Sequence, residues 1–187
     1  YRRPRWSWTG IIVPLVGVLS FAGIVAWSTA RAALPAGSNA PMFVAPAAQA
    51  GKEFSFHLAD ALRNGPVVVY FYPAAFTRGC TIEAHEFADA MDSYHALGAS
   101  VIGVSGDAID TQREFSSKEC RDKFPVGADP GFQVIKAYDA AMTIPGTNLG
   151  FAERISYVIA PDGRAPPEHA PPAPQLPLLA NRLPHLA

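Results

Sequence analysis

Cys80 is the residue of this chain best placed to act as a nucleophile. It follows the run Phe71-Tyr72-Pro73-Ala74-Ala75-Phe76-Thr77-Arg78-Gly79 and falls in the first turn of a long helical pattern. Backbone N–H groups in a first turn have no intrahelical partner, and the helix dipole favours an anion there. A thiol so placed is driven toward the thiolate, its nucleophilic form. Thr77, three residues earlier, can turn its hydroxyl back toward the sulfur. Arg154 opens the last strand pattern of the chain. If that strand lies beside the one leading to Cys80, the guanidinium stabilises the thiolate and binds an oxygen substrate. Glu83, one turn after Cys80, can hold Arg154 by a paired hydrogen bond. Cys120 is the second of two cysteines. Together they allow one bridge, one redox pair or two unrelated thiols.

These side chains need a scaffold, and the hydrophobic pattern supplies one. Residues 54–58 (FSFHL) alternate as a half-buried strand does. Residues 67–72 (VVVYFY) form a continuous apolar run between Gly65-Pro66 and Pro73. Such a run fits a strand buried on both faces. Over residues 79–97, Ala84, Phe87, Met91 and Tyr94 recur at spacings of three and four, one core-facing helical stripe. A strand is expected over 100–104, then a turn at Gly106-Asp107 and helices over 110–123 and 131–138. A last strand, ISYVIA at 155–160, stops at Pro161-Asp162-Gly163. Strands alternating with helices predict an α/β domain with a central mixed sheet.

The 187 residues are 49% apolar and 17% charged, below the roughly 25% charged usual in a soluble domain, which excludes a disordered chain. Residues 1–37 hold Arg2, Arg3, Arg5 and Arg31 and no acid. The remainder has 11 basic against 16 acidic side chains, a net of −5, and so no electrostatic attraction for nucleic acid. Residues 6–30 carry no charge, and the three tryptophans, Trp6, Trp8 and Trp27, lie toward their two ends. A helix rising about 1.5 Å per residue over this span roughly covers the ~30 Å hydrocarbon layer of a bilayer. The arginines before it place the N-terminus in the cytoplasm and the following domain outside. The expected location is the cell inner membrane, single-pass, with the domain on the periplasmic or outer side. The alternative is a cleaved signal segment ending at Ala30-Arg31-Ala32. Four parts are therefore expected: an anchor or signal segment over 1–30, a linker over 31–40, a domain over 41–165, and a tail over 166–187. That tail holds 7 prolines in 22 residues, too dense for a sheet ladder.

The spacing Pro73-x-x-x-Thr77-x-x-Cys80 resembles the peroxiredoxin signature. FYPAAFTRGCTIEAHEFAD, VIGVSGD and RISYVIAPDG resemble the peroxiredoxin Q, or bacterioferritin comigratory protein, branch of the AhpC/TSA-like family over about residues 38–164. The resemblance implies a thioredoxin-like fold and thiol-dependent reduction of hydrogen peroxide and organic hydroperoxides. Cys80 would be the peroxidatic cysteine, oxidised to a sulfenic acid. Thr77 and Arg154 would polarise the peroxide, and Pro73 would shield the sulfur from water. No metal and no organic cofactor is implied, because sulfur carries the redox chemistry. The reductant would be an external thiol such as a thioredoxin-like protein. Many members of the branch carry a resolving cysteine five residues after the peroxidatic one, where this chain has His85. Others carry it on the next long helix, where Cys120 falls, amid charged flanks that suggest partial exposure. Cys120 is thus the candidate resolving cysteine, with an external thiol as the alternative.

Three other readings compete. A dithiol oxidoreductase needs Cys-x-x-Cys at the helix start, and Thr77 occupies the first of those positions. An exported metal chaperone would use Cys80 and His85, too few ligands for a site. His85 reads instead as a solvated helix residue, and His57, His95, His169 and His185 as surface positions. A catalytically silent, membrane-tethered interaction module would display the Pro-rich tail, but would be free to lose Thr77, Glu83 and Arg154.

Overall fold

The computed structural model describes residues 34–35, 37–144 and 150–165. The span read as an anchor, the tail over 166–187, His169 and His185 lie outside the described residues. Among the described residues, no helix is long and apolar enough to cross a membrane.

The chain runs β1 (Val44–Gln49), β2 (Lys52–His57), α1 (Leu58–Leu62), β3 (Val67–Phe71), α2 (Arg78–Ala96), β4 (Ser100–Ser105), α3 (Ile109–Lys118), β5 (Val126–Ala128), α4 (Gln133–Ala137), β6 (Ala141–Thr143), β7 (Gly150–Ala152) and β8 (Ile155–Ile159). Six strands form one mixed sheet in the order β2-β1-β5-β4-β3-β8. β3 is parallel to β4 and β4 to β5, while β8 runs antiparallel to β3. β6 and β7 form a separate hairpin.

The period of two along β3 divides the core between the two faces of the sheet. Val67, Val69 and Phe71 face one side with Leu58, Leu62, Ile135 and Tyr138. Val68, Tyr70 and the following Tyr72 face the other with Ala84, Phe87, Met91, Tyr94, Phe115 and Phe124. All five residues of β3 are buried, as expected of a strand covered on both faces. The four residues of the α2 stripe are buried too. Tyr70 stacks on Phe87 with ring centroids 4.2 Å apart. The layers fit only because Gly103 on the neighbouring strand has no side chain: a Cβ there would lie 2.6 Å from the Tyr70 ring.

Two elements end earlier than the sequence pattern suggests. The alternation over 54–58 stops at His57, and Leu58 begins α1. The helix expected over 110–123 stops at Lys118, so Cys120 lies in the turn that follows. Consecutive left-handed residues, Arg121 (φ 50°) and Asp122 (φ 62°), reverse the chain there. The reversal draws Cys120 inward, its N–H donating to the Phe115 carbonyl at 3.0 Å. Cys120 is fully buried, contrary to the partial exposure its charged flanks suggest. The charged side chains of Arg121, Asp122 and Lys123 point outward while the small sulfur fills the core.

Candidate active site

The site forms where β3 ends, at the carboxyl edge of the parallel strands, the usual place for a site in an open α/β sheet. The β3–β8 register sets it. Phe71 lies opposite Ile155, so Arg154, one residue earlier, projects beyond the end of β3 over the start of α2. Its Nη2 lies 3.3 Å from the Cys80 sulfur. Cys80 is 1% exposed. The guanidinium and the first-turn N–H groups of α2 together favour negative charge on that sulfur.

Glu83 completes the group. It is 2% exposed, and its Oε2 accepts a hydrogen bond from Arg154 Nη1. Among the described residues, Glu83 Oε1 has no partner. Burial pushes the Glu83 carboxyl up to about 7, against the pull of the Arg154 guanidinium. Thr77 precedes α2 in extended backbone. Its hydroxyl donates to the Ala74 carbonyl at 3.0 Å rather than pointing its proton at the sulfur. That leaves the oxygen's lone pairs to accept a bond from a bound O–H. Pro73 is half-buried at the end of β3.

Residues that carry no sequence motif of their own hold this arrangement. Gly79 makes room for the arginine: a Cβ there would sit 3.1 Å from Nη2 of Arg154. Asp107 holds the loop before Cys80. Its Oδ2 accepts from the Ala75 N–H at 2.8 Å and from the Ser105 hydroxyl at 2.6 Å. Behind it, buried Gln112 donates to Ser105 Oγ at 2.7 Å and accepts from the Tyr72 hydroxyl at 2.6 Å. The loop thus hangs on a network from β3, β4 and α3. Its strained point is Phe76 (φ 60°), which meets Phe115 edge-on at 5.3 Å. The sequence signal for Asp107 is the position of Ser105-Gly106-Asp107 after a parallel strand; nothing in the pattern marks Gly79.

A model of the AhpC/TSA family matches residues 36–165. The chain belongs to the AhpC/TSA family. Peroxiredoxin Q of the rice chloroplast (Oryza sativa subsp. japonica) is 36% identical over 148 residues, covering 72% of this AhpC/TSA chain and 64% of the rice protein. A Mycobacterium tuberculosis protein provisionally named a peroxiredoxin is 35% identical over 133 residues, covering 70% of this chain and 82% of its own. The crystal structure of peroxidoxin BcpB from M. tuberculosis superposes with a TM-score of 0.71 at 25% identity, covering 82% of this chain and 98% of that one. The chain spans less than two thirds of the length of the first plant relatives, down to 52% for that of Sedum lineare. The thioredoxin-like α/β fold with a mixed sheet, expected above, is the fold these AhpC/TSA relatives share.

In this AhpC/TSA chain the structure brings Cys80, Arg154 and Glu83 into contact. Cys120 lies within the same apolar cluster as Cys80, and both are free thiols. Burial and the Glu119 carboxylate push the Cys120 thiol well above its ordinary range. His85 is not a solvated residue: its Nε2 lies 2.9 Å from Glu119 Oε2 and the ring is half-buried. His57 and His95 are exposed, as expected.

The Glu83 carboxyl takes up a proton as pH falls through about 7. The neutral acid no longer attracts Arg154 as an anion does, so the guanidinium is less firmly held at the sulfur. The rate of Cys80 oxidation by peroxide is therefore expected to fall on that side of the profile. Glu83→Gln should be slow throughout and lack this limb. A variant that keeps the wild-type limb would assign it to another group.

Proposed function

We propose that the chain is a thiol peroxidase of the peroxiredoxin Q kind, acting on hydrogen peroxide and organic hydroperoxides through Cys80. The observation that carries this reading is the Arg154 guanidinium 3.3 Å from a buried sulfur, itself gripped by a buried carboxylate. A silent module has no use for that arrangement. The metal-chaperone reading finds no support either: among the described residues, no group of three or more His, Cys, Asp or Glu could hold a metal ion.

The peroxide's near oxygen would sit between the sulfur and the guanidinium, with its O–H donating to Thr77. The Cys80 thiolate attacks that oxygen. An S–O bond forms, the O–O bond breaks, and the far oxygen leaves as water or an alcohol after taking a proton. Sulfur loses two electrons and the peroxide gains them. Arg154 stabilises the charge that develops on the two oxygens, and Pro73 limits water at the sulfur. Cys120 then resolves the sulfenic acid, with an external thiol as the second route. A thioredoxin-like dithiol returns the enzyme to its reduced form. Cys80→Ser should abolish peroxide consumption in the presence of a thiol reductant. Arg154→Gln should slow Cys80 oxidation by about 10²–10³, the loss typical when one oxyanion donor is removed. Full turnover by the serine variant would end this reading.

We also propose that residues 6–30 tether the domain to the inner membrane, with catalysis on the periplasmic or outer side. The uncharged span, the tryptophans at its ends and the preceding arginines support this. A phosphatase reporter that works only outside the cytoplasm, fused after residue 40, should be active and sediment with membranes. An inactive fusion would refute the orientation, and an active soluble one would favour the cleaved segment.

A further inference from the structure

Cys120 cannot attack Cys80 from where it sits. It is fully buried, its thiol is held protonated by burial and by Glu119, and a disulfide needs close approach of both backbones. The turn that carries it must open, so what holds that turn matters. Two charged pairs do. His85 Nε2 lies 2.9 Å from Glu119 Oε2, and Arg121 Nη1 donates to Asp89 Oδ1 at 2.6 Å. His85 and Asp89 stand one turn apart on α2, the helix that begins with the Cys80 segment. Glu119 and Arg121 are the residues on either side of Cys120. The neighbours of the thiol are therefore both pinned to the helix of its target.

The turn itself is strained. Arg121 and Asp122 are consecutive non-glycine residues in the left-handed region, a conformation that persists only where surrounding contacts hold it. Asp122 adds two: its N–H donates to the Ser116 carbonyl at 3.1 Å, and its Oδ1 accepts from the Ser117 hydroxyl at 3.0 Å. A strained turn held by exposed and half-buried charges is poised to open.

We propose that His85–Glu119 and Asp89–Arg121 form a charge latch that sets how fast Cys120 reaches oxidised Cys80. These four are positioning residues, and the inference rests on the reading of Cys120 as the resolving cysteine. In the step they control, the Cys120 sulfur attacks the sulfur of the Cys80 sulfenic acid. An S–S bond forms, the S–O bond breaks, and the hydroxide leaves with the Cys120 proton as water. A second peroxide competes by oxidising the sulfenic acid to sulfinic acid. A tighter latch thus favours overoxidation, and a looser one favours the disulfide.

The test uses the full chain with Asp89→Asn, Glu119→Gln, and the charge swap Asp89→Arg with Arg121→Asp. Three quantities are read: disulfide formation after a peroxide pulse, the sulfinic fraction by mass, and alkylation of Cys120 by iodoacetamide in a Cys80→Ser background. Each neutralising variant should speed both alkylation and disulfide formation about two- to fivefold, the weight of such ion pairs. It should lower the sulfinic fraction and leave the initial oxidation of Cys80 unchanged. The swap should restore wild-type rates, and added salt should speed wild type more than the variants. Unchanged alkylation in the neutralised variants, or no rescue by the swap, would overturn the latch. A wild-type protein that never links Cys80 to Cys120, while alkylation still responds to the variants, would overturn the resolving role of Cys120 instead.

Discussion

A sulfur anion that is 1% exposed cannot persist in an apolar interior without a positive charge beside it. The contact between Arg154 and Cys80 answers that constraint, and the surrounding structure is arranged to deliver it. The antiparallel β3–β8 register places the arginine beyond the end of β3. The turn into α2 places the sulfur beneath it, Gly79 removes the Cβ that would crowd it, and Glu83 anchors its other nitrogen. Burial raises the cost of an ionised Glu83, so the grip on the arginine is itself tuned by proton concentration.

The second requirement is a loop that does not wander. Tyr72, Gln112, Ser105 and Asp107 form a chain of hydrogen bonds from the core to the Ala75 N–H. A fully satisfied buried network of this kind fixes geometry better than apolar packing alone. Packing still matters: the stacked rings of Tyr70, Tyr72 and Phe87 set the height of α2 above the sheet. The same apolar layer encloses Cys120, so core stability and thiol reactivity are opposed there.

Strong periodicity is legible in the residues themselves. The run Val67–Phe71 and the stripe Ala84, Phe87, Met91, Tyr94 read as they fold, because burial alone decides them. The strand Val44–Gln49 does not, since its sequence VAPAAQ has little strand propensity and owes its form to pairing with β2 and β5. The end of α3 is hidden for the opposite reason. Residues 118–123 look helical and carry no glycine to announce the left-handed turn at Arg121 and Asp122. In the site, Cys80, Arg154 and Glu83 are readable from residue type and spacing. Gly79 and Asp107 are not, because their value lies in a close approach and a loop bond that exist only in three dimensions.

The proposed chemistry requires Cys80 to be the sulfur that peroxide meets first. The direct measurement is to reduce the full chain, add one equivalent of hydrogen peroxide, and follow intact mass with peptide mapping. Oxidation at Cys80 is expected before any at Cys120, ending in a loss of two hydrogens and a linked Cys80–Cys120 peptide. Cys80 remaining reduced while peroxide persists, or Cys120 oxidised first, would contradict it.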